Sequence, residues 1–132
     1  MLPQAIQMPM DVTEFANRWR ISCELARKLI AVAARLPFPI LMISGFRTRE
    51  EQQALKDRGV ETAPDHLSTH RSCPATGADI RVATAVTRQV KAWLGTVAVE
   101  QGLRWGGGSA LDEYGFPKDW NHLDLGPRSQ RG

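Results

Sequence analysis

Asp119-Trp120-Asn121-His122 is the stretch on which the reading of this chain turns. It has the form D-x-x-H. Upstream lies a second polar cluster, Ser68-Thr69-His70, followed by Gly77-Ala78-Asp79. Together they offer two imidazoles and one carboxylate as possible metal ligands, with a second carboxylate left over. A catalytic zinc site needs three protein ligands, an open position for water and a base beside that water. Trp120 to Leu125 reads as a strand, on which residues two apart share a face. His122 and Asp124 then point the same way, with Asp119 just before the strand.

Working outward, Asp11 with Glu14 predicts a capped helix through Arg20. Ser22 caps a longer helix, whose apolar face is Leu25, Leu29, Val32 and Leu36 and which Pro37 and Pro39 end. Ile40 to Ser44 reads as a buried strand. Thr48 and Glu51 form a T-x-x-E capping box for a helix to about Asp57, stopped at Gly59. Residues 60 to 76 read as a long loop, and loops of that length in a compact domain are usually functional or disordered. Ala78 to Val82 is a candidate strand. Val86, Val90, Trp93, Leu94 and Val97 define a helical stripe that Gly102 ends. Leu103 to Trp105 reads as a strand, Gly106 to Gly108 as a flexible break, and 109 to 118 as a loop. This order of helices and strands predicts an α+β fold rather than a doubly wound sheet.

At 132 residues the chain is expected to be one domain, 1–132, large enough to bury a core without staples. Its apolar fraction of 42% and charged fraction of 23% are ordinary for a globular protein. The longest apolar run, residues 37 to 43, is too short to span a bilayer, so no membrane partner is expected. The N-terminus lacks the basic start and apolar stretch of a signal peptide, which predicts synthesis in the cytoplasm or a signal already removed. The net charge of +3 suits an anionic partner such as a wall polymer. The arginines are scattered rather than gathered in an arm, which argues against nucleic acid. Cys23 reads as a buried free thiol in an apolar helix. Cys73 follows His70, and a pairing of the two stays open.

With these residues on the page, the chain resembles the zinc D-Ala-D-Ala metallopeptidases, a group that includes D-Ala-D-Ala carboxypeptidases, vancomycin-resistance dipeptidases and phage L-alanyl-D-glutamate endolysins. The resemblance is carried by Ser44-Gly45-Phe46-Arg47-Thr48 with Glu51 and Gln52, by Ser68-Thr69-His70, by Gly77-Ala78-Asp79-Ile80, and by Gly102 to Trp105 leading to Asp119-Trp120-Asn121-His122. It implies a small antiparallel sheet with helices packed on one side, as in the hedgehog and DD-peptidase folds. It implies that His70, Asp79 and His122 bind Zn²⁺ and that Asp119 is the general base. Arg47 would steady the charge on the substrate carbonyl, and Ser68 would seat the substrate. The implied substrate is a D-residue-containing stem-peptide bond of peptidoglycan. The implied setting is a monomer acting on the cell wall, and small size, absent signal and basic charge suit a phage or prophage lysis protein, or a virion-associated one, better than a secreted housekeeping enzyme.

The chain departs from the family in one place. The family writes its middle motif S-x-H-x-x-G-x-A-x-D, whereas His70 and Asp79 here are nine positions apart, with Cys73 and Pro74 between them. His66 is the alternative ligand that this leaves. A non-catalytic metal-binding module of the same fold, which binds the wall or a protein partner, is the rival reading.

Overall fold

The computed structural model describes residues 2–60, 69–70 and 74–126. Ser68, His66 and Cys73 lie outside them. The fold is α+β, as expected. In chain order the elements are β1 (Gln4–Ile6), α1 (Val12–Trp19), α2 (Cys23–Arg35), β2 (Ile40–Ser44), α3 (Arg49–Asp57), β3 (Gly77–Val82), α4 (Arg88–Glu100), β4 (Arg104–Trp105) and β5 (His122–Asp124). The strands form one antiparallel sheet in the order β1-β2-β3-β5-β4.

The helix starts follow from local capping chemistry. Asp11, Ser22 and Thr48 each accept a hydrogen bond from the backbone three residues on, and Glu51 returns the bond to Thr48 in a complete capping box. Each such cap stabilises its helix by about 1 kcal/mol. Helix α1 stops where Arg20 turns left-handed, at φ 55°. Helix α3 stops before Gly59, at φ 81°.

Strand alternation then divides the sheet. In β3, Ala78, Ile80 and Val82 face the core, and Ile80 lies opposite Met42 and Val82 opposite Ile40. Leu123 of β5 joins them opposite Ala78. This face packs in one cluster with Phe15 and Trp19 of α1, Leu25, Leu29 and Val32 of α2, and Leu94, Val97 and Ala98 of α4. Full burial of a side chain such as Ile80 or Leu29 contributes roughly 1.5–3 kcal/mol. Helix α3 supplies no residue to this cluster. The opposite face carries Asp79, His122, Asp124 and Arg104.

Several expectations need correction. β1 was not anticipated: it is three residues long and owes its existence to pairing with β2. Helix α4 begins at Arg88, capped by Thr87, so Val86 precedes it and is exposed, and Trp93 is also exposed. Its buried side is Leu94, Gly95, Val97 and Ala98. Gly95 is there because the Trp105 ring lies against it: a Cβ would sit 2.3 Å from that ring. Cys23 carries a free thiol but is exposed, at the first turn of α2 rather than on its buried face. Gly106–Gly108 is a 3₁₀ turn with all three φ positive, packed on its neighbours, not an open break. The last strand is shorter than expected, His122–Asp124, because Asp119 to His122 forms a turn closed by the His122 N–H on the Asp119 carbonyl (3.0 Å).

Candidate metal centre

Asp79 and His122 stand directly opposite each other on β3 and β5. Antiparallel pairing of neighbouring strands therefore brings them together, although 43 positions separate them. The register of β2 shifts between Met42 and Ser44, so that Ser44 pairs with Asp79. Such a bulge bends the strand and redirects the chain that follows, here the Gly45–Arg47 segment. His70 is held from both sides of its peptide unit. The Arg47 N–H donates to the His70 carbonyl (2.9 Å), and the Thr76 N–H donates to the Thr69 carbonyl (2.9 Å).

The ligand-type atoms converge. His122 Nδ1 lies 3.0 Å from Asp79 Oδ1 and 3.3 Å from His70 Nε2, and His70 Nε2 lies 3.6 Å from Asp79 Oδ1. Both imidazoles are buried, at 2% and 6% exposure, while about a quarter of the Asp79 side chain reaches solvent. The other nitrogen of each ring is already engaged. His70 Nδ1 lies 2.6 Å from the Gly45 carbonyl, which can only accept, so Nδ1 carries the proton. His122 Nε2 lies 2.7 Å from Asp124 Oδ2 and donates to it, with Thr69 Oγ1 at 3.3 Å. The neutral rings thus turn two lone pairs, beside a carboxylate oxygen, toward one point. That arrangement is repulsive unless a cation stands there. The group could hold a metal ion.

In the metal-free protein a proton partly fills this role. Burial disfavours a charged His122, but its hydrogen bonds to Asp124 and Asp79 prevail and push it up to about 9. Burial dominates at His70 and lowers its pKa despite Asp79. Asp79 is desolvated, yet hydrogen bonds from His122 and His70 hold it well below the usual carboxylate range. Asp124 is likewise desolvated and is held down to about 2 by His122 and Arg104.

Beside the triangle stand Arg47 and Asp119, both singled out in the sequence. Arg47 is mostly buried, and its Nη2 lies 3.7 Å from Asp79 Oδ2. Desolvation lowers its pKa, while Asp79 and Asp119 oppose that shift. Asp119 ends the 109–118 loop. Its N–H donates to Ser109 Oγ (3.1 Å), and the Trp105 indole donates to the carbonyl of the next residue, Trp120 (2.7 Å). As a residue Asp119 is exposed, but enough protein surrounds the carboxyl for desolvation to raise its pKa. The charges of His122, Asp79, His70 and Arg47 all act on it. Gln52, which follows Arg47 in the same stretch that carries the resemblance, is buried at 4% exposure.

Sequence reasoning placed Asp124 on the face of His122 but gave it no task, and it passed over Arg104. The period of two in H-x-D was the available signal for Asp124. Arg104 had none, because its contact with Asp124 spans 20 positions.

The crystal structure of the L-Ala D-Glu endopeptidase ChiX of Serratia marcescens superimposes on this chain with a TM-score of 0.60 at 18% identity, covering 91% of this chain and 90% of that one. The fold is shared. No family model matches the sequence, and no curated protein matches it.

Proposed function

We propose that this chain is a zinc peptidase that hydrolyses a D-residue-containing stem-peptide bond of peptidoglycan. The observation that carries the reading is the triangle of His70 Nε2, Asp79 Oδ1 and His122 Nδ1, with edges of 3.0, 3.3 and 3.6 Å. A tetrahedral ion with bonds of about 2.0–2.1 Å spaces its ligand atoms about 3.3–3.4 Å apart. The donor set, two imidazoles and one carboxylate, suits Zn²⁺ and leaves one position open. The ChiX fold, belonging to an enzyme that cuts an L-Ala D-Glu bond, supports the choice of substrate.

Zn²⁺ bound there would supply Lewis acidity and lower the pKa of a water to about 7. Asp119, beside the triangle, takes the proton from the attacking water and returns it to the leaving amine. A carboxyl with a raised pKa suits that exchange. Arg47 donates to the carbonyl oxygen as negative charge grows on it, a contribution typically worth on the order of 10²–10³ in rate. Ser68 seats the peptide. In this reading the 132 residues act as a single-domain monomer on the wall, in the manner of a phage or prophage lysis protein. Among the described residues no helix is long and apolar enough to cross a membrane.

The test combines elemental analysis of the purified protein with mass spectrometry of peptidoglycan digested by it. One zinc per chain and a newly freed stem-peptide end are expected, and the fragment masses name the bond. A chain that holds the metal but releases no fragment would be a non-catalytic module instead.

A further inference from the structure

Asp124 is wholly buried, and it lies two residues beyond His122 on the same face of β5. Its Oδ1 accepts from Arg104 Nε (2.9 Å) and from the Gly126 N–H (2.7 Å). Its Oδ2 accepts from Arg104 Nη2 (2.8 Å) and from His122 Nε2 (2.7 Å). A carboxylate has about four lone-pair sites, and all four are used. Three of the bonds come from groups outside the metal triangle. The carboxylate therefore cannot turn without breaking a bidentate fork, and its remaining lone pair stays aimed at His122 Nε2.

Register explains how the fork arrives. Arg104 of β4 is the direct cross-strand partner of Asp124. The Arg104 side chain runs from the surface, at 33% exposure, to a fully buried acid. The His122 ring is also confined edgewise. A Cβ on Gly107 would lie 2.8 Å from its Cδ2, and one on Gly77 would lie 3.1 Å from its Cε1. Two glycines thus let backbone close on the ring from two directions, while Asp124 fixes which nitrogen keeps a hydrogen.

We infer that Arg104, acting through Asp124, is a positioning residue for the metal centre: it locks the His122 ring so that Nδ1 is presented to the ion. This rests on the reading of the triangle as a metal site. A plain structural alternative exists, in which the Arg104–Asp124 pair only fastens β4 to β5. Outer partners of metal-bound histidines typically change metal affinity by 10–100-fold, whereas a fastening pair would change stability alone.

The full-length protein and its Arg104→Met, Arg104→Lys and Asp124→Asn variants would be stripped of metal. They would then be titrated with Zn²⁺ against a chromogenic chelator at a temperature where circular dichroism shows each one folded. Arg104→Met and Asp124→Asn should bind Zn²⁺ 10–100-fold more weakly. Arg104→Lys keeps the charge but not the fork, and should also weaken binding. A second readout is the His122 Nε2–H signal in ¹H–¹⁵N spectra of the metal-free protein. It should be protected from exchange in the parent chain and exchange faster in each variant. Unchanged Zn²⁺ affinity in folded Arg104→Met, with only a lower melting temperature, would overturn the inference. Should Asp124→Asn fail to fold, the two Arg104 variants decide. Should the parent chain bind no Zn²⁺, the proposed function falls. With it falls the role toward an ion, and the Nε2–H signal then decides only whether Arg104 orients the His122 ring: sensitivity to Arg104 upholds that orientation and indifference overturns it.

Discussion

On one face of the sheet, Ala78, Ile80 and Val82 of β3 meet Ile40, Met42 and Leu123, none more than 5% exposed. On the other face, the intervening residue Asp79 meets His122, and Arg104 meets Asp124. The same strands build both surfaces, and a slip of one residue in pairing would exchange them. The apolar face works through non-directional burial, so its members can be replaced by others of similar volume at modest cost. The polar face works through aimed lone pairs, where each atom's partners are few and fixed in direction. Stability should therefore be lost gradually through the first face, and chemistry abruptly through the second.

The largest expected effect lies on the polar face. His122→Ala removes a nitrogen from the triangle and should leave the purified protein without zinc by elemental analysis, with peptidoglycan hydrolysis at background. Full zinc content in that variant would remove His122 from the ligand set. Next comes Asp119→Ala, which should lower turnover by about 10²–10⁴ while zinc content and melting temperature stay as in the parent. Normal hydrolysis would take Asp119 out of the reaction. These two variants separate holding the ion from using it.

The sequence was most legible where the physics is local. The caps at Asp11, Ser22 and Thr48 involve residues three apart, and all three helices start where their side chains require. Ile40–Ser44 was recognisable because a continuous apolar run between prolines and a polar turn has few other uses. β1 was not recognisable, because three residues carry no periodicity and their partner lies some 35 positions away. On α4 the stripe held at Val90, Leu94 and Val97 but Gly95 was missed for a related reason: the Trp105 ring that covers it belongs to β4. At the site, His70, Asp79 and His122 do converge, despite the long interval between the first two. The β3–β5 register, not the loop between His70 and Asp79, sets the Asp79–His122 distance. What could not be read was the support behind His122, since nothing in the sequence near Arg104 announces a buried acid across the strand.

On the apolar face, Ile80→Ala should cost about 2–5 kcal/mol in urea unfolding. Turnover per folded molecule should stay close to the parent's, because Ile80 points away from the triangle. A large fall in the turnover of fully folded Ile80→Ala would mean that the two faces are coupled more tightly than their alternation implies.

The pH dependence of the metal-free protein should be of the same order as the Ile80→Ala effect, since each unit of pKa shift corresponds to about 1.4 kcal/mol, and it sharpens the contrast because only the polar face titrates. Against the cost of burial, the hydrogen bonds to Asp124 and Asp79 push the folded His122 up to about 9, above the ordinary imidazole value of 6.5. The stability it contributes is fully present below pH 6.5 and is lost as pH rises toward 9. Asp124, held down to about 2 from 3.8, contributes stability that is present above pH 3.8 and lost as pH falls toward 2. His70, whose pKa is lowered, also loses stability on the acid side, whereas the raised pKa of Asp119 works against that trend. The window from 6.5 to 9 is therefore the clean one, and in it the chelator-treated protein should unfold at progressively lower urea. Added Zn²⁺ should reverse the trend, because an ion that displaces the His122 proton binds more tightly as that proton becomes easier to remove. Ile80→Ala should shift the whole curve downward without changing its shape. Equal urea midpoints at pH 6.5 and 9 in the metal-free parent would show that His122 holds no extra proton. The convergence of the three ligand atoms would then need another source of compensating charge.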